Sequence, residues 1–300
     1  MAHKSQKNSV GGINNSGESA DAVGIAAGIQ SITTSTTTGG GVINAVISGN
    51  KINGVSQDAT FSAAGIIVAG ITGQTNTISN NMITGVISDG DSGDFSTGIF
   101  VTGVIGSITN VYNNSISMTG DRSLLLTPST AMYPSYGIAI TGTDPTVDIK
   151  NNIVYTTQTA SGGGVDAKSY AIGMTSTTFV NLTNNYNNYW STGANDGGFR
   201  TGSLDPALGT DYSTVALFAT AVGDEANSVE VLPAFVSDLT DLHLNPAASC
   251  LTIGKGVNLP SVTTDFDCNS RNTLPFMGAH EAYEPSGATT ALYVTTPYNR

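Results

Sequence analysis

Apolar residues along this chain come in short runs of three to six, rich in Ile and Val and separated by Gly, Asn, Ser and Thr. Runs of that length suit strands, not helices. An Asn-centred phrase recurs as ISGNKING from Ile47, ISNNMITG from Ile78, VYNNSISM from Val111, IKNNIVYT from Ile149 and LTNNYNNY from Leu182. Aligning Asn50, Asn81, Asn114, Asn152 and Asn185 gives spacings of 31, 33, 38 and 33 residues. A second phrase precedes each: GIAAGI from Gly24, GIIVAGI from Gly65, GIFVTGVI from Gly98, GIAITG from Gly137 and, more loosely, AIGMTS from Ala171. Alternation in NNMITGVI and NNSISMTG sets Met82 and Ser115 on the face opposite Ile83 and Ile116, as in strands with one buried face. No single unit of this length can bury that face alone. Coils stacked along an axis can, because each strand then pairs in parallel with its counterparts about 4.8 Å above and below.

The pattern therefore predicts an all-β parallel β-helix of five to seven coils. Asn at one point in five units fits a coil corner, where it tolerates left-handed backbone and its amide bonds the Asn of the next coil. A structural ladder through Asn50, Asn81, Asn114, Asn152 and Asn185 is the expectation. Length variation falls in loops such as SDGDSGDFST after Ile87 and DRSLLLTPSTAMYPSY after Gly120. From Ser191 the pattern changes. The stretch 213–223, STVALFATAVG, has apolar residues at helical spacing, a Ser or Thr before them and Gly after, which predicts one short helix. The resulting organisation is a poorly ordered start or N-terminal edge over 1–20, coils over 21–200, a closing region over 201–284 and a tail over 285–300.

Composition narrows the function. Charged residues are 11% of the 300, against about 25% in an ordinary soluble domain, so the surface is wetted by Ser, Thr, Asn and backbone. Ten Lys and Arg against 22 Asp and Glu give a net charge of -12, which leaves no basic patch for phosphates and argues against nucleic acid. No apolar run approaches the roughly 20 residues a membrane span needs, and the start MAHKSQKNSVGG lacks a signal-peptide core.

The last third resembles the end of a family of secreted right-handed parallel β-helix proteins from Bacteroidetes-type bacteria. In that family a helix after the coils precedes D-x-x-S-[IV]-x-x-x-P-x-F, then D-L-H-L-x-P, T-T-D-x-D-G-x-x-R and G-A-x-E. The matching residues are Asp224, Ser228, Val229, Pro233, Phe235, Asp241, Leu242, His243, Leu244, Pro246, Thr263, Thr264, Asp265, Asp267, Arg271, Gly278, Ala279 and Glu281. The chain departs at Cys268, where the family usually has Gly. The resemblance implies export to the outside of the cell or its surface, with the signal peptide and a detachable sorting domain lying outside these 300 residues. It brings no catalytic residues with it.

Candidate chemistry is sparse. Asp89, Asp91 and Asp94 fall within six residues, a density of hard oxygen donors that could bind calcium, although the same residues read more simply as a solvated acidic loop. Phe100 stands where an EF-hand needs Glu. Asp265 and Asp267 read as closure residues with Arg271 as their ion-pair partner. His243 reads as a half-buried structural histidine, and His3, His243 and His280 show no metal spacing. Tyr186, Tyr189 and Trp190 read as a cover over the open end of the core, or as sugar-stacking rings. Cys250 and Cys268 would close a loop of about 18 residues, worth about 3 kcal/mol if oxidised, the alternative being two thiols. These features predict a non-catalytic extracellular or cell-surface solenoid with a structural or adhesin-like role, meeting a polysaccharide or cell-surface partner. It needs no cofactor, calcium being the one ion its residues suit. The alternative is a polysaccharide lyase or glycoside hydrolase of the β-helix type, acting on an acidic polysaccharide through the loops near Asp89 to Asp94 and Arg122.

Overall fold

The structure, a computed structural model, describes residues 8–16, 20–28, 41–125, 128–246 and 254–282. The first coil carries β1 (Asn8–Ser16), β2 (Ala22–Ala27) and β3 (Val46–Ser48). The next four carry β4 (Asn50–Asp58), β5 (Ala63–Ala69) and β6 (Thr75–Ser79); β7 (Met82–Ser88), β8 (Ser96–Gly103) and β9 (Ile108–Tyr112); β10 (Ser115–Met118), β11 (Ser135–Gly142) and β12 (Thr146–Lys150); and β13 (Ile153–Thr156), β14 (Ser169–Met174) and β15 (Leu182–Asn185). Then come β16 (Asn188–Ser191), β17 (Asp196–Thr201), β18 (Thr210–Tyr212), the helix α1 (Val215–Val222), β19 (Phe235–Ser237) and β20 (Asp241–Leu244). The strands stack into three parallel sheets, β1-β4-β7-β10-β13-β16, β2-β5-β8-β11-β14-β17 and β3-β6-β9-β12-β15, with β18 added antiparallel to the second.

The chain is thus a parallel β-solenoid. Its coil count is lower than the pattern predicts: four coils, β4 to β15, are complete. The first runs through residues 29–40, outside those described. The sixth has strands in only two sheets before β18 and α1 end the stack. The expected poorly ordered start or edge over 1–20 contains β1, which pairs with β4 over its length.

Inward residues align coil on coil. Ile52, Ile83, Ile116, Val154 and Tyr189 are register partners in the first sheet. Ile66, Ile99, Ile138, Ile172 and Phe199 are partners in the second. Ile47, Ile78, Val111 and Ile149 are partners in the third. Almost all are fully buried, and each such side chain removed from water contributes about 1.5–3 kcal/mol. The repeated Gly of the second phrase has a steric cause. A Cβ at Gly65 or Gly98 would lie 2.6 Å from the carbonyl oxygen of the equivalent Gly one coil on.

The Asn-centred phrase is the corner between the third and first sheets. Its first residue takes the left-handed conformation: Gly49, Asn80, Asn113, Asn151 and Tyr186 have φ of 69°, 54°, 53°, 59° and 59°. The second turns inward and forms a ladder. Asn50 Nδ2 donates to Asn81 Oδ1 at 2.9 Å, Asn81 to Asn114 at 2.9 Å and Asn114 to Asn152 at 3.0 Å. The next rung is Asn187 at 3.0 Å, not Asn185. Asn185 lies opposite Lys150 at the end of β15. Asn8 adds a rung at the other end, donating to Asn50 at 3.1 Å.

The closing region runs along the outer face of the first sheet. Met82 packs with Leu242, Phe266 and Ala279, and Ile153 with Leu244, Phe276, Met277 and Ala282. Ser115 Oγ accepts from the Ala279 amide at 2.9 Å, and Asn80 Nδ2 donates to the Thr264 carbonyl at 2.8 Å. The face that alternation marks as outward is therefore covered. The predicted helix is α1, with Thr214 as N-cap and Gly223 in the left-handed conformation after it. Its Phe218 stacks on Phe199 at 4.9 Å, so α1 closes the core end, while Tyr189 sits inside the core.

Candidate functional sites

The acidic loop after β7 is tied down residue by residue. Asp89 is fully buried; its two oxygens accept from the amides of Thr60 at 3.1 Å and Ser129 at 2.9 Å. Burial pushes this carboxyl above its ordinary value, and those two amides oppose the shift. Asp91 accepts from Ser129 Oγ at 3.0 Å, and Asp94 from Ser62 Oγ at 2.7 Å. Burial raises Asp94 to about 6. The three carboxylates thus face different donors, and they are not among the groups of described residues whose ligand atoms converge within 4.8 Å.

A buried cation stands behind this loop. Arg122 is 1% exposed and donates to the carbonyls of Tyr133 at 2.6 Å and Ala167 at 3.0 Å. Burial brings it down to about 10, with the charges of Tyr136, Asp121 and Asp89 acting the other way. It gives the loop positive charge from inside, with its guanidinium buried against those two carbonyls.

The closing motifs bring together residues that lie far apart in sequence. The rings of His243 on β20 and His280 are 4.8 Å apart. His243 Nδ1 contacts Asp241 Oδ1, and its Nε2 lies 2.9 Å from Asp267 Oδ2. His280 Nε2 lies 3.8 Å from the same oxygen. Behind them Asp265 Oδ1 accepts the amides of Asp267 at 2.9 Å and Asn269 at 2.8 Å, and its Oδ2 accepts that of Glu281 at 3.0 Å. Arg271 pairs with the buried Glu281 at 3.2 Å. Burial raises Asp241, but the hydrogen bonds from His243 outweigh it and hold the carboxyl below its ordinary value.

Two imidazoles and a carboxylate within 4.8 Å have the composition of a transition-metal site, with Asp241 placed to orient His243. The tautomer of His280 argues otherwise. Its Nδ1 accepts the Leu244 amide at 3.1 Å, so the proton of the neutral ring sits on Nε2, the atom a metal would need. The arrangement is a hydrogen-bonded chain that joins β20 to the loop over 264–282. Its two histidines are 37 residues apart, so no local spacing signals it.

A second cluster lies on the outer face of the second sheet. Tyr136 and Tyr170 are register partners and stack at 5.2 Å; the repeated phrase SY at 135–136 and 169–170 is the sequence signal for them. Arg200, with its side chain 3% exposed, pairs with Asp211 and donates to Tyr170 Oη at 3.0 Å. Its other nitrogens donate to the carbonyls of Ser203, Asp205 and Pro206. Lys168 reaches Asp211 at 2.7 Å. Lys168, Tyr170, Arg200 and Asp211 line a cleft of about 240 Å³ with Val165, Asp166 and Pro206. The guanidinium is saturated by the 203–206 loop it holds, and burial raises the Tyr170 phenol further from ionisation, so neither group is set up as a base.

The third sheet presents its outer face to solvent. Val46, Thr77, Asn110, Asp148 and Thr183 form one outward row, register partner to register partner, each partly or fully exposed. Beside it Tyr112 Oη donates to Asp148 at 2.5 Å and Lys150 Nζ lies 2.9 Å from the same carboxylate. Cys268 is exposed with φ of 66°. Its expected partner Cys250 lies outside the described residues, and that pairing with it. No helix among the described residues is long and apolar enough to cross a membrane. No family model and no curated protein matches the chain.

Proposed function

We propose that this protein is a non-catalytic solenoid displayed outside the cell, a rigid spacer or adhesin-like module that offers the open face of its third sheet to a cell-surface glycan. One observation carries the reading. Among the described residues, the clusters at Asp89 and Arg122, at His243 and His280, and at Arg200 and Asp211 spend their ionisable side chains on hydrogen bonds that join separate chain segments. Groups engaged in this way act as structural ties. A reaction needs one of them facing an open position.

The low charge and the Ser, Thr and Asn surface support display in solution outside the cell, as does the likeness of the closing motifs to secreted Bacteroidetes β-helix proteins. The outward row on the third sheet repeats polar groups at the coil rise of about 4.8 Å, a spacing suited to many weak contacts with an extended polymer. A panel of neutral and acidic polysaccharides, scored for both retention and cleavage, tests this. The expected result is retention lost on Thr77→Arg or Asn110→Arg, with no new reducing or unsaturated ends. Cleavage with turnover would establish the lyase or hydrolase alternative instead. A calcium arm in the same panel tests the acidic loop at Asp89, Asp91 and Asp94.

A further inference from the structure

The hydrogen-bonded chain at the closing motifs treats its two histidines unequally. His243 sits between two acceptors, Asp241 at Nδ1 and Asp267 at Nε2, so a ring carrying two protons satisfies both. His280 sits between a donor and an acceptor: the Leu244 amide points at its Nδ1 from 3.1 Å, and Asp267 lies 3.8 Å from its Nε2. One proton fits there and a second does not. Protonating Nδ1 would set it against the Leu244 N–H, two donors face to face in a half-buried site, with the His243 ring 4.8 Å away.

We propose that His280 is a pH-sensitive latch, which holds β20 to the closing loop while its ring is neutral and loosens that junction, though not the coils, on acidification. The junction is placed for this. Leu244 is the last residue of β20 and packs against Ile153, Phe276 and Ala282 over the first sheet. His280 follows Ala279, which is pinned to Ser115. The charged groups that face the ring are Asp241 and His243 from β20 and Asp265 and Asp267 from the closing loop, with Lys51 of β4 acting on Asp241. Burial first, and then the charge of His243, hold His280 below the ordinary histidine value of 6.5, against the pull of the three aspartates. The folded protein therefore takes up fewer protons here than the unfolded chain. The neutral ring's contribution is complete above 6.5 and is lost as the pH falls toward the folded value.

Hydrogen exchange of the whole chain at pH 7.5 and 5.5, corrected for intrinsic rates, reads the latch at the Leu244 amide. Its protection should fall severalfold in acid relative to Ile116 in the core of the fourth coil. In His280→Gln, whose amide oxygen can accept the same bond and does not titrate, the fall should vanish. An equal fall in both proteins, or none in the wild type, overturns the proposal. If the variant folds poorly, the histidine nitrogen spectrum of the wild type decides alone. A proton on Nδ1 of His280 at pH 7.5 overturns the latch, and one on Nε2 that gains a partner at Nδ1 in acid supports it.

Discussion

Glu225, which closes the core end beside α1, should make this protein more stable in mild acid than in mild base. The residue is 2% exposed, and Tyr189 Oη lies 2.8 Å from its Oε1. The same hydroxyl lies 2.8 Å from Asn184 Oδ1, and a phenol has one proton for two acceptors. A protonated Glu225 resolves the count, donating to Tyr189 while Tyr189 donates to Asn184. Burial drives the carboxyl from 4.5 to about 7, against the hydrogen bonds from Ser228, Tyr189 and Asn187. A group with a raised folded value stabilises fully below its unfolded value and loses that contribution as the pH climbs through the folded one. The window is thus 4.5 to about 7, and at 1.36 kcal/mol per unit the loss is about 3 kcal/mol. That is a large part of the 5–15 kcal/mol of a typical domain. Glu225→Gln keeps the shape and removes the titration. Urea unfolding followed by Trp190, the only tryptophan and the neighbour of Tyr189, should show the variant about equal to wild type at pH 4 and about 3 kcal/mol more stable at pH 8. A difference that does not grow between those values, or a variant less stable at pH 8, would refute the protonation argument.

Five further substitutions test the packing. Gly98→Ala places a Cβ 2.5 Å from Ile116 Cγ2 and 2.6 Å from the Gly137 oxygen, and should cost about 2 kcal/mol or more. At Gly73, where a Cβ meets nothing within 4 Å but φ is 77°, alanine should cost only about 1 kcal/mol of backbone strain, so equal losses in thermal melts would count against the close coil contact. Asn114→Ala strands the Asn81 amide and the Ile78 carbonyl in the core and should cost about 3–5 kcal/mol, whereas Asn8→Ala at the exposed end of the ladder should cost under about 1 kcal/mol. Cys268→Gly under reducing conditions should gain about 1 kcal/mol by relieving a left-handed non-glycine residue; a loss would show that the thiol makes contacts worth more than the strain.

The coil architecture was legible because burial imposes period two on every strand and stacking repeats it at every coil. Apolar spacing alone therefore located Ile83 and Ile116. The last ladder rung was not. In NNYNN two Asn pairs compete, and the corner is set by which residue turns left-handed, not by which pair looks like its predecessors. Tyr186 takes that turn, so Asn187 becomes the rung. Asn184 then falls where the coils below have Ile149 and Val111. A polar residue is tolerated there because the stack ends and Tyr189 and Asn187 meet its amide. The meeting of His243 with His280 was hidden for another reason. It depends on how the closing region lies over the first sheet, and no local periodicity encodes that path.

The pattern of ties follows from the charge count. With 22 acidic residues and only 10 basic ones, most buried carboxylates must take hydrogen bonds from amides and hydroxyls, because few cations remain to pair with them. Such donors satisfy a carboxylate without offsetting its desolvation as a full positive charge would, which leaves Asp94, Asp89 and Glu225 raised. Acid strengthens the contribution of those three, whereas it weakens that of His280, which is lowered. The two senses belong to different parts of the molecule, the loop and core end on one side and the closing motifs on the other. Global stability should therefore rise between pH 7.5 and 5.5 as the core end tightens, while the junction at Leu244 loosens locally. A melting temperature alone would report the first change and miss the second, and only measurements resolved by residue can separate them.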